Sequence, residues 1–100
     1  MARPARLGDA EVAAALDGPG APDWDLEDGR LVCSVTLPSF PAALEFVAEV
    51  GRLAEEADHH PDIDIRYRTV RLVLVTHDAG GLTELDFALA RAIDAVRPPA

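Results

Sequence analysis

The sequence predicts an α+β fold: an N-terminal helix followed by ββαββα, with the helices packed on one face of an antiparallel four-stranded sheet. Three observations predict it. Apolar residues alternate at every second position in short segments, as half-buried strands require. They recur at three- and four-residue spacing in two longer segments, as amphipathic helices require. Gly-, Pro- and Asp-containing turns separate the segments.

Met1 to Arg6 reads as a loose tail. Asp9 can cap a short helix that places Val12, Ala13 and Leu16 on one face, and Asp17-Gly18-Pro19-Gly20-Ala21-Pro22 ends it. Strands follow near residues 24–27 and 30–37, joined by Asp28-Gly29. Asp-Gly between alternating apolar runs signals a type I′ hairpin, whose two central residues need φ > 0. Ser39 can cap the next helix, with Pro41 in its first turn, where a missing N–H costs little. Ala43, Phe46, Val47, Val50, Ala54 and Ala57 form its apolar stripe, and Pro61 stops it. Ile63, Ile65 and Tyr67 alternate with charged residues and predict a half-buried strand. Val70 to His77 predicts the last strand, and a tight turn or bulge near Arg68-Thr69 accounts for the change of inward parity between the two. After the loop Asp78-Ala79-Gly80-Gly81, Thr83 and Asp86 are spaced as a capping box. The final helix buries Leu82, Leu85, Leu89, Ile93 and Val96, and Pro98-Pro99 closes it.

One hundred residues fit one domain spanning 1–100, with tails at 1–6 and 97–100. A chain of this size buries a modest core, so self-association would stabilise it. Eighteen acidic residues against nine basic ones give a formal net charge of −9. That sign disfavours nucleic acid and anionic membrane surfaces, both of which attract clustered Lys and Arg. Cys33 is the single cysteine, so no intramolecular disulfide forms, and its apolar strand position suits a buried thiol better than a nucleophile. No run approaches a membrane span, and a cytoplasmic protein is expected.

The three histidines fall at the ends of predicted elements: His59 and His60 after the long helix, His77 after the last strand. Three readings compete. They can be solvated residues or helix C-terminal caps, where an imidazolium favours the dipole. They can be part of a zinc site, although adjacent histidines on a helix seldom share one ion, whose ligands more often sit three or four residues apart. Or they can exchange protons, since imidazole titrates near neutrality. Glu55 lies four residues before His59, where side chains on a helix meet, and could orient its ring. An ordinary surface Glu fits that spacing equally well. Asp86 has a sufficient role in the cap, and Asp62 and Asp64 read as solvent-facing.

The run Glu55-Glu56-Ala57-Asp58-His59-His60-Pro61 resembles the signature of the pterin-4a-carbinolamine dehydratases. Tyr67, Thr76-His77, Gly81-Leu82-Thr83 and Asp86 follow in that family's order and spacing. Upstream, Trp24, Phe40, Ala43 and Phe46 also resemble it, so the likeness spans Leu7 to Val96. Leu37, Ile63 and Asp64 depart from residues common in the family. The resemblance implies dehydration of a 4a-hydroxytetrahydrobiopterin-like carbinolamine to a quinonoid dihydropterin, in tetrahydrobiopterin recycling. It implies His59, His60 and His77 as catalytic residues, with His59 and His77 moving protons and His60 positioning the ring. Asp58, Pro61, Thr76 and Asp78 would contact the pterin, and Glu55 and Asp86 would support. Neither a metal nor a redox cofactor is expected. The expected partners are a small-molecule pterin and further copies of the chain, as a homodimer or homotetramer. The rival expectation is a catalytically weak binding or assembly module of the same fold, or a role with a molybdopterin-type compound.

Overall fold

The structure, a computed structural model, describes residues 4–98. Met1 to Arg3 and Pro99-Ala100, which belong to the expected tails, lie outside the described residues. The elements run α1 (Asp9–Asp17), β1 (Asp25–Glu27), β2 (Arg30–Thr36), α2 (Phe40–Ala57), β3 (Asp62–Arg66), β4 (Thr69–Leu74), a 3-10 turn (His77–Ala79) and α3 (Glu84–Val96). The four strands form one antiparallel sheet in the order β1-β2-β4-β3. The predicted α+β architecture is therefore the observed one. One core cluster joins Val12 of α1, the inner stripes of α2 and α3, and the inward residues of β2 and β4, so all three helices cover the same face of the sheet.

The β1–β2 turn has φ of 51° at Asp28 and 74° at Gly29, the double positive φ that a type I′ turn needs. Beyond it, Leu31, Cys33 and Val35 pair with Leu74, Leu72 and Val70, and all six face the helices. Ser34 and Thr36 alternate outward. In α2, Ser39 Oγ accepts from the Ala42 N–H at 3.2 Å, and Ala43, Phe46, Val50 and Ala54 are buried. Ala57, expected at the end of that stripe, is exposed instead. The helix has already begun to unwind there: Asp58 adopts the left-handed conformation, and the His59 N–H reaches back to the Ala54 carbonyl at 3.0 Å.

Three boundaries differ from expectation. The cap of α1 is Gly8 rather than Asp9, with Glu11 Oε1 accepting from the Gly8 N–H at 2.9 Å. The parity switch before β4 is a two-residue turn at Tyr67-Arg68, fastened by reciprocal backbone and side-chain bonds between Arg68 and Leu37. Tyr67 stands in that turn, at φ 54°, rather than in the strand. Ile63 and Ile65 pair with the core residues Leu72 and Val70, yet stay more than a third exposed because β3 is an edge strand. Finally, β4 ends at Leu74, not His77. Thr76 bridges to Gly81 and His77 opens the 3-10 turn, which Gly80 closes at φ 74°.

Along α3, Phe87, Leu89, Ala90 and Ile93 are buried together with Asp86. Phe87 lies outside the predicted stripe, while Leu85 and Val96 are only half-buried. The stripe is wider than an amphipathic pattern suggests because α3 touches both α2 and the sheet. A polar cluster fastens its far end. The Trp24 indole donates to Asp94 Oδ1 at 2.8 Å, and Arg97 donates to Asp94 Oδ1 at 3.3 Å and to Cys33 Sγ at 2.9 Å. Among the described residues, no helix is long and apolar enough to cross a membrane.

Candidate active site

A cleft of about 230 Å³ opens between the end of α2 and the segment after β4, lined by Asp58, His59, His60, Val75, Thr76, His77 and Asp78. The two chain segments meet there for local reasons. Asp58 turns the chain out of α2 in the left-handed conformation, so His59 and His60 leave the helix in different directions. Across the cleft, the 3-10 turn brings His77 forward instead of leaving it on the sheet. All three histidines thus face one cleft, from two segments that are not neighbours in sequence.

His59 is buried. Its Nε2 stands 2.6 Å from Oδ1 of Asp86, which is fully buried in the first turn of α3. Oδ2 of the same carboxylate accepts from the Thr76 hydroxyl at 2.7 Å and from the Thr83 N–H at 2.9 Å. Thr76 has one hydroxyl proton, which Asp86 takes, so the 2.8 Å contact between the two threonines has Thr83 donating to Thr76. Thr83 Oγ1 in turn accepts from the Leu85 N–H at 3.2 Å. An ionised Asp86 accepting from a His59 Nε2–H satisfies every one of these bonds. The predicted capping box is real, and Asp86 does more than cap: it joins the box to His59. Every buried side-chain polar atom among the described residues has a partner.

His60 is exposed, and its Nε2 is hydrogen-bonded to Oε2 of Glu55, also exposed. This corrects the expected pairing of Glu55 with His59. Four-residue spacing brings side chains together only while the helix continues, and here it stops at Ala57. The left-handed Asp58 swings His59 inward and leaves His60, five residues on, above Glu55. His77 is exposed, and its ring makes no hydrogen bond with a described residue.

The other expected contact residues divide. Asp58 and Asp78 line the cleft, and Pro61 does not. Thr76 lines it, but its hydroxyl is committed to Asp86 and Thr83, its N–H to Gly81 and its carbonyl to Ala79 and Gly81. It shapes the wall rather than offering polar groups. Val75 is a lining residue that the chemistry of the sequence did not single out. The signal was its alternation with His77, two positions on. Among the described residues, no three His, Cys, Asp or Glu side chains are grouped to hold a metal ion.

Comparison with known proteins identifies the family. The family described as pterin 4 alpha carbinolamine dehydratase matches residues 5–96. A protein of Chloroflexus aurantiacus named "Putative pterin-4-alpha-carbinolamine dehydratase" is 59% identical over 91% of this chain and 96% of its own length. One of the same name from a Mycobacterium species is 51% identical over 90% of this chain and 94% of its own. The crystal structure of a transcriptional coactivator/pterin dehydratase from Brucella melitensis superposes with a TM-score of 0.85 at 34% identity, covering 93% of this chain and 99% of that one. A pterin dehydratase-like protein identified as a RuBisCO assembly factor in the alpha-carboxysome shares the fold alone, with a TM-score of 0.65 at 22% identity over 77% of this chain and 92% of that one. With a family match over nearly its whole length, and with its histidines gathered at one cleft, the chain belongs to the pterin-4a-carbinolamine dehydratase family.

Proposed function

We propose that this chain dehydrates a pterin 4a-carbinolamine to the quinonoid dihydropterin in tetrahydrobiopterin recycling, by histidine acid–base catalysis in the cleft of His59, His60 and His77. The observation that carries the reading is the His59–Asp86 pair, a buried imidazole held by a fully buried carboxylate at the edge of the cleft. With Nε2–H committed to Asp86, the tautomer is fixed and Nδ1 is the nitrogen left to exchange a proton.

The reaction breaks the C4a–O bond. The departing hydroxyl takes a proton from a general acid and leaves as water, while a base removes a proton from a ring nitrogen and its electron pair completes the new C=N bond. His59 and His77 are the two proton-transfer groups, and His60 positions the ring with Glu55 behind it. Asp58 and Asp78 contact the polar edge of the pterin. Positioned acid and base groups contribute roughly 10²–10⁴-fold each to such a step. Two imidazoles, each able to give or take a proton, supply both roles without a metal or redox cofactor.

The setting is a cytoplasmic homodimer or homotetramer. In its support, Phe40, Leu44, Ile63, Ile65 and Tyr67 leave large apolar surface exposed on a small chain. The rival reading, a catalytically weak assembly module, draws on the fold shared with the RuBisCO assembly factor. One experiment separates them. Carbinolamine dehydration followed spectroscopically should show turnover that falls when His59 or His77 is replaced by Ala. No turnover by the native chain favours the assembly module, and unchanged rates in folded variants overturn the histidine roles.

A further inference from the structure

A second and larger cavity, about 540 Å³, adjoins the histidine cleft and shares Val75 and His77 with it. It lies between α1, the β1–β2 turn and the loop after the 3-10 turn. Its apolar wall includes Leu7, Val12, Leu26 and Leu82, and Arg6 and Arg30 also line it. The first cleft, at about 230 Å³, falls below the range of roughly 300–1,000 Å³ typical of small-molecule sites, and the second falls within it. A ligand seated at the histidines has a ready continuation past His77.

The two arginines give that continuation a chemical preference. In a chain of net charge −9, cations this close to the cleft stand out, and neither guanidinium has a hydrogen bond or ion pair with a described residue. The backbone beside Arg6 is anchored. The Leu7 N–H bonds the Leu82 carbonyl at 2.8 Å, and the Arg6 side chain lies flat over Gly81, where an added Cβ would come within 2.8 Å of Nε and 3.1 Å of Cδ. Glycine at 81 therefore makes room for Arg6. Asp9 and Asp28 line the cavity too and weaken the positive field, but neither forms an ion pair with Arg6 or Arg30. A guanidinium fork binds phosphate oxygens in pairs, a geometry these side chains are free to offer.

We infer that this cavity is a subsite for the C6 substituent of the pterin, and that Arg6 and Arg30 select a substituent carrying a phosphate. The inference rests on the pterin reading above and names the substrate class within it. Calorimetric titration at low ionic strength with 7,8-dihydroneopterin and with its monophosphate tests it, because the two share one ring. The phosphate ester should bind about tenfold tighter or better, a gain that added salt erodes. The readout is the ratio of the two affinities. In R6A/R30A it should fall to near one. Gly81→Ala should lower it by displacing Arg6, and Asp28→Asn should raise it. A ratio near one in the native chain, or one unchanged in R6A/R30A, overturns the subsite. Failure of both pterins to bind overturns the pterin reading itself, so the two failures are told apart.

Discussion

His59 and His60 are adjacent, and each holds a carboxylate through Nε2, yet the two pairs sit in opposite surroundings. The His59 and Asp86 side chains are 8% and 0% exposed, whereas those of His60 and Glu55 are 57% and 78% exposed. Water screens the outer pair and competes for its hydrogen bonds, so its coupling is weak. The inner pair is shielded, and Asp86 carries further bonds to Thr76 and Thr83. Removing one member of such a buried set leaves the others unsatisfied. The contrast teaches that burial, rather than the identity of the two groups, decides whether an imidazole–carboxylate pair fixes a ring or merely decorates it. The inner pair holds its ring in one orientation, while the exposed outer pair is less constrained.

The largest effect should come from Asp86→Ala, which strips His59, Thr76 and the cap of α3 at once. We expect a loss of about 3 kcal/mol or more in denaturant unfolding, together with loss of most turnover. A variant as stable as the native chain would show that the cluster adds no net stability. His59→Ala should come next, lowering the dehydration rate roughly 10²–10⁴-fold with a smaller cost in stability, since Asp86 keeps two of its donors. A double-mutant cycle sharpens the comparison: His59 with Asp86 should couple by about 2 kcal/mol, and His60 with Glu55 by about 0.5 kcal/mol or less. Equal coupling in the two cycles would break the argument from burial.

The smallest effect concerns Cys33, a buried group that lines neither cavity. Burial pushes its thiol pKa up, with Arg97 opposing. Both folded and unfolded chains hold the thiol neutral below its ordinary range. As pH rises through that range, the unfolded chain ionises first, so stability should decline at alkaline pH. Cys33→Ala should flatten that decline, which unfolding measured across the alkaline range would detect, and should leave the histidine cleft intact.

Much of the fold was legible because its signals are local. Asp28-Gly29 needs only its own φ angles to make a hairpin, Ser39 and Thr83 cap the helices that follow them, and alternation marked β2 as a strand. The misreadings fall where tertiary context overrides a local pattern. Edge position leaves Ile63 and Ile65 exposed, the bridge from Thr76 to Gly81 ends β4 early, and the left-handed Asp58 sends Glu55 to His60 instead of His59. The histidines themselves were found from sequence, as was the capping box.

By itself, then, the sequence determined which elements form, in what order, and which titratable side chains stand near their ends, because caps, turns and periodicity act over a few residues. Only the tertiary structure decided that Asp86, 27 positions from His59, meets its ring, and that His77 lines both the histidine cleft and the cavity of Arg6. Those meetings depend on how α2 and α3 pack over the sheet, and no spacing along the chain encodes the distance between residues on different elements.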